Sequence, residues 1–172
     1  MKTVKLWIAV NKNQSIVMFS EEPKRNKNLG KWESNKPFVN SVLFSQLSDL
    51  MKKAKEVSAN SYSPYSKFAV GACVLMESGN AYQGCNFENS SYGMTICAER
   101  NAIGTAIANG EKKIKAIAIY SPNQDDCMPC GACRQVIHEF CDNDADVEVI
   151  LEVEGALKIY TLAQLLPSSF SL

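Results

Sequence analysis

Between residues 44 and 57 the apolar positions Phe44, Leu47, Leu50, Met51, Ala54 and Val57 recur three or four apart, the spacing of one helical face. "SYSPYSKF" breaks that pattern with turn residues. "AVGACVLME" and "AYQGCNFEN" then flank "SGN" and predict a β-hairpin. "ICAERNAIGTAIANG" returns to helical spacing, with Ala102, Ile103, Ala106 and Ile107 inward and Gly110 as the stop. "IKAIAIYS" is apolar without alternation and predicts a buried strand. "GACRQVIHEFC" predicts a helix burying Val136, Ile137 and Phe140. "VEVILEV" and "ALKIY" are two more strands across "EG", followed by a short helix over "TLAQLLPSSF". The order α, ββ, α, β, α, ββ, α implies a three-layer α/β/α sandwich around a five-stranded mixed sheet.

The first 40 residues read differently. "TVKLWIAV" and "SIVMF" flank the polar "NKNQ" and predict a small hairpin. "EEPKRNKNLGKWESNKP" has no periodicity and reads as a linker. The expected organisation is therefore residues 1–40, a β-hairpin extension and linker, and residues 41–172, a second domain. Charge divides at the same place: residues 1–40 carry eight Lys/Arg against three Asp/Glu, and the remainder ten against fifteen. All seven cysteines follow residue 40.

At 172 residues with no net formal charge, the chain lacks the overall basic excess of most nucleic-acid binders. No apolar run is long enough for a bilayer, and "MKTVKLWIAV" is a poor secretion signal. Seven cysteines, an odd number, with a C-x-x-C step favour metal or free thiols over a disulfide framework, hence an expected cytoplasmic location.

Both cysteine motifs fall at helix starts. Cys130 and Cys133, three apart on a first turn, face the same way and can share one metal, with Pro129 fitting a helix start. Cys97 supplies a third thiolate if the two N-termini converge. Three protein ligands leave one tetrahedral position of zinc open, the arrangement of a catalytic site. Glu99 would then act as the proton carrier, provided Cys97 reaches in from the helix end while Glu99 lies along its flank. Three thiolates make zinc a poor Lewis acid; helix N-termini, and hydrogen bonds from Arg100 and Arg134, would offset that. "CMPC" offers a competing ligand pair, Cys127 with Cys130, which would strand Cys97 or Cys133. Cys73, Cys85 and Cys141 read as buried, inert thiols, and His138 as a partly exposed structural residue.

"TICAER" and "PCGACRQ", with "SPYSKFAVGA", "GCNFENSSYGM" and "LLPSSF" in order, resemble the zinc-dependent cytidine deaminases, over about residues 45–170. The resemblance implies one zinc per chain on Cys97, Cys130 and Cys133, with Glu99 as proton shuttle. It implies ribose contacts from Asn86 and Glu88, a pocket wall at Phe68, and backbone around Ala98 meeting the base carbonyl. It also implies the small homotetrameric branch, in which neighbouring chains complete each site and Phe170 stacks on a base. The expected reaction is hydrolysis of cytidine or 2′-deoxycytidine to the uridine product and ammonia. Two other readings compete: a deaminase of a related aminonucleoside or of polynucleotide cytosine, and a zinc-stabilised binding module without activity. Asn86 and Glu88, one face of a strand end, favour a free nucleoside; Glu99 argues against a purely structural metal. Residues 1–40 lie outside the resemblance. Trp7 and Trp32 among basic residues suit a nucleic-acid platform, but docking onto another protein surface is the preferred expectation.

Overall fold

The computed structural model describes residues 7–10, 16–19, 24–26, 31–33, 44–144 and 146–171. It divides into two compact units, residues 1–48 and 49–172. In the first, β1 (Trp7–Val10) pairs antiparallel with β2 (Ile16–Phe19), the hairpin the sequence predicts. The stretch expected as a linker holds a second ladder, β3 (Lys24–Asn26) with β4 (Lys31–Glu33). Three-residue strands of mostly charged side chains, Lys-Arg-Asn and Lys-Trp-Glu, are too short to show hydrophobic alternation. How Trp7 and Trp32 are covered lies outside the described residues.

The second unit is built on five strands: β5 (Gly71–Met76), β6 (Ala81–Cys85), β7 (Ile114–Tyr120), β8 (Glu148–Val153) and β9 (Ala156–Thr161). Their order is β6-β5-β7-β8-β9, with β7 and β8 parallel and every other pair antiparallel. The helices are α1 (Phe44–Ser58), α2 (Ala98–Ala108), α3 (Gly131–Glu139) and the single turn α4 (Leu162–Leu165). Gly110, at φ 88°, follows the end of α2.

Strand alternation sorts the layers. Ala72, Val74 and Met76 share a face with Ile117, Ile119, Val149 and Leu151, and this face packs with Ala102, Ile103 and Ala106 of α2 and Ile137 of α3. Cys73 and Leu75 lie on the other face with Ala118, Ala116 and Ile150. Two glycines permit close packing on opposite sides. A Cβ on Gly71 would stand 2.0 Å from the Ala54 carbonyl of α1, and one on Gly84 2.3 Å from the Ala102 amide of α2. Gly84 pairs with Ala72, and Gly71 is one residue away on the reverse face, so helices cover both sides. The three-layer sandwich around a mixed sheet is the observed fold.

The closing helix is shorter than expected. Pro167 disfavours the α region at Leu166, which sits at φ −136°, ψ 70°, and the chain continues without regular structure. α4 starts with a capping box: the Thr161 hydroxyl accepts from the Gln164 amide, and the Gln164 side chain accepts from the Thr161 amide.

Candidate metal and catalytic site

α2 and α3 both begin at a cysteine. Cys97 is the N-cap of α2 and Cys130 the N-cap of α3, each with extended backbone rather than helical geometry. A side chain at such a position projects from the helix end. Cys133 lies one turn into α3, and its amide donates to the Cys130 sulfur. Cys97, Cys130 and Cys133 thereby place their three sulfurs within 4.8 Å of one another. The Cys130–Cys133 separation is 3.3 Å and the Cys97–Cys130 separation 4.0 Å. Sulfurs on a tetrahedral zinc lie about 3.8 Å apart, from a Zn–S bond of about 2.3 Å. The donors need only small adjustments to fit that ion.

The electrostatics of the thiols favour a cation. A hydrogen bond from the Cys133 thiol, helped by Arg100, lowers the Cys97 pKa to about 5 against the effect of burial. Cys133, correspondingly, holds its proton more tightly than a free thiol because it donates to Cys97 and is buried. A divalent ion among the three sulfurs would take the place of that shared proton.

Glu99 is in the first turn of α2 and 5% exposed. The difficulty of two residues lying about 200° apart disappears because Cys97 stands outside the helix. Burial raises the Glu99 pKa, and the neighbouring Cys97 charge adds to it, while a hydrogen bond with Cys133 opposes it. That last contact joins the carboxyl to the sulfur cluster.

Arg100 donates through Nη2 to the Thr95 carbonyl at 3.2 Å and to the Cys97 sulfur at 3.7 Å. Arg134 does not share that role. Its Nε donates to the Pro129 carbonyl at 2.8 Å and its Nη1 to the Leu165 carbonyl at 2.7 Å. Helical side chains lean toward the N-terminus, which carries this guanidinium back along α3 to Pro129. Pro129 itself precedes the N-cap rather than opening the helix. Cys127 is buried outside the sulfur triad, its thiol pushed up to about 11 by burial. Two other thiols differ from expectation: Cys85 donates to the Asn60 carbonyl, and Cys141 lies in a polar cluster with His138 and Asp144.

Asn86 and Glu88 both address the loop 61–70. Asn86 Oδ1 accepts from the Ser61 hydroxyl (2.6 Å) and the Val70 amide (2.8 Å), while its Nδ2 donates to the Phe68 carbonyl (2.8 Å). One amide hydrogen of Asn86 remains for another acceptor. Glu88 Oε2 accepts from the Tyr65 and Ser66 amides, and the Ser66 hydroxyl leads in holding its pKa below the usual carboxylate range. Phe68 is partly buried against the core on the α2 side of the sheet. Ala98, fully buried, is the first residue of α2, where helical amides have no intrahelical partner. Phe170 is 68% exposed, and its carbonyl accepts from Gln135 Nε2 at 2.8 Å. Sequence reasoning gives no role to Ser61, Ser66 or Gln135; only the position of Gln135 two residues after a cysteine of the triad points to it.

The family described as "Cytidine and deoxycytidylate deaminase zinc-binding region" matches residues 44–148, well over half the chain and including all three cysteines and Glu99. The chain belongs to this deaminase family. A cytidine deaminase of Sporosarcina psychrophila is 45% identical over 122 residues, 71% of this chain and 89% of that protein. One from Halalkalibacterium halodurans is 42% identical over 123 residues, 71% of this chain and 92% of that protein. The crystal structure of cytidine deaminase from Burkholderia pseudomallei superposes with a TM-score of 0.66 at 38% identity, covering 72% of this chain and 98% of that one. Other members of the deaminase family therefore share both the sandwich and the segments that carry the sulfur cluster.

Proposed function

We propose that residues 41–172 form a catalytic domain that hydrolyses cytidine and 2′-deoxycytidine to uridine and 2′-deoxyuridine, releasing ammonia, in nucleoside recycling. The single observation that carries this is the buried Glu99 carboxyl beside a triad of sulfurs from two helix starts, with Cys133 of the triad as its hydrogen-bond partner. One zinc per chain would be held by Cys97, Cys130 and Cys133, where it supplies the Lewis acidity that makes a water nucleophilic near neutral pH. Glu99 accepts the proton lost by the attacking water and delivers it to N3 of the pyrimidine. It then takes the proton of the new C4 hydroxyl and passes it to the exocyclic nitrogen, which departs as ammonia while C4 becomes a carbonyl. A carboxyl whose pKa burial raises above its ordinary value is better suited to holding and returning a proton. Arg100 reduces the charge on the Cys97 sulfur. The Ala98 amide meets the base carbonyl, Phe68 lines the pocket, and Glu88 with the spare Asn86 N–H hydrogen-bonds the ribose.

The working form is a homotetramer in which Phe170 stacks on the base in a neighbouring chain's pocket. Tyr92 is 74% exposed, and its ring meets Tyr65 edge-on at 5.9 Å, so the surface offers apolar area for association. Free thiols at the site suit a reducing cytoplasm, and no described helix is long and apolar enough to cross a membrane.

Purified protein should deplete the long-wavelength absorbance of cytidine. Glu99→Gln should keep zinc and fold while losing about 10²–10⁴-fold in turnover, because an amide cannot carry the proton. Near-normal turnover in that variant would remove Glu99 from the mechanism.

A further inference from the structure

The described stretch after α4 has no regular structure, and such backbone usually frays unless tied down. Two side-chain hydrogen bonds tie it, and a third holds the last residue of α4 just before it. Arg134 Nη1 holds the Leu165 carbonyl (2.7 Å), and Gln135 Nε2 holds the Phe170 carbonyl (2.8 Å). Ser169 hydrogen-bonds Asp144, which is fixed in turn by His138 Nδ1 at 2.7 Å. All three anchors stand on α3 or on the loop that follows it.

The anchor at Asp144 resembles a metal site, since His138, Cys141 and Asp144 place an N, an S and an O close together. Its spacing argues otherwise. Nδ1–Oδ1 at 2.7 Å and Sγ–Oδ1 at 3.1 Å are hydrogen-bond distances, whereas N and O ligands on tetrahedral zinc lie about 3.4 Å apart. Burial alone would raise the Asp144 pKa, but donors from His138, Cys141 and Ser169 bring it below the usual value. Asp144 is a hydrogen-bonded foot for the C-terminal segment.

We propose that Gln135, assisted by Arg134, is a positioning residue: it clasps the C-terminal segment to the helix that carries Cys130 and Cys133, and so holds Phe170 ready for the nucleoside base. This rests on the proposed nucleoside reading. Phe170 has the features of a presented side chain, with its backbone pinned and its ring 68% exposed. Pinning the backbone beforehand removes ordering entropy from substrate binding. The same helix thus places the metal ligands at its first turn and fixes the stacking residue from its second. Gln135 touches neither substrate nor metal; it acts through Phe170.

The experiment compares full-length wild type with Gln135→Met, which keeps length and removes the donor, and with Ser169→Ala, an external change with little risk to folding. Hydrogen–deuterium exchange followed by mass spectrometry reads release of the Phe170 segment from α3. Losing one hydrogen bond should speed that release about 2- to 10-fold in Gln135→Met, with a smaller rise in Ser169→Ala. Gln135→Met should raise KM for cytidine by a similar factor, with kcat and zinc content retained, and Gln135→Lys should restore KM by returning a donor. Adding Gln135→Met to Phe170→Ala should raise KM no further. Equal release rates in all three proteins, an unchanged KM, or additive effects in the double variant would each overturn the proposal. The release measurement needs no activity, so it separates failure of the clasp from failure of the deaminase reading.

Discussion

Glu148 lies in β8 opposite Ala116, on the sheet face away from α2, 5% exposed and with Oε2 lacking a hydrogen-bond partner. Burial raises its pKa from 4.5 to about 7, Lys115 offsetting part of the effect. The folded state therefore binds this proton more tightly than the unfolded chain does. The stabilisation is complete below about pH 4.5 and is lost as pH rises through about 7, a change on the order of 3 kcal/mol. Glu148→Gln should be more stable than wild type at pH 8, and the difference should shrink or reverse at pH 5. Urea midpoints at the two values read this directly, and identical pH slopes in both proteins would contradict it. Sequence alone marks Glu148 only as an acidic position in an apolar run, because its burial depends on tertiary packing that local pattern does not record. Cys97, Cys130, Cys133 and Glu99 were legible because their chemistry is bound to helix starts, which local sequence signals. Asn86 was legible as polar and important, but not as the hub of the loop 61–70. Its partners Ser61, Phe68 and Val70 come from 16 to 25 residues away. Arg134 misled because adjacency to a cysteine says nothing of a guanidinium's direction.

At the scale of elements, the sulfur triad joins the N-termini of two helices that otherwise meet mainly through the core. Metal binding to such a site is also folding energy, since the unfolded chain holds no preformed triad. Cys133→Ala should therefore lose bound zinc and melt at a lower temperature, the loss being of several degrees. Metal analysis beside calorimetry checks both parts. Full zinc retention in that variant would mean that another residue, with Cys127 nearest in sequence to Cys130, supplies a ligand. The strands and α1–α3 were readable because each has a period of two or near 3.6 over several residues. The β3–β4 ladder is not, since its strands are short and mostly charged, and the closing helix stops short of the apolar pattern because Pro167 restricts Leu166. The turn at Tyr92–Met94, a single 3-10 turn, is too short to leave any periodicity.

At the scale of the molecule, the family match begins at residue 44, which leaves the basic N-terminal segment without a role assigned by relationship. That segment contains two-stranded ladders, and a two-stranded hairpin alone is marginal in water. A protein surface beside it would add the stability that two strands alone lack. The formal charges, +5 for residues 1–40 and −5 for the remainder, attract, with salt weakening the effect. A platform for nucleic acid would instead leave tryptophan area exposed in the free protein, which soluble proteins limit. We propose docking as the behaviour to test. A chain beginning at Val39 should still bind zinc and deaminate cytidine, with a lower melting temperature or an altered assembly by light scattering. The apparent loss of stability should be greatest at low salt, where the charge attraction in the full chain is strongest. Unchanged stability and assembly, together with loss of measurable binding to single-stranded DNA or RNA, would instead make the segment a nucleic-acid platform, with Trp7 and Trp32 as stacking residues.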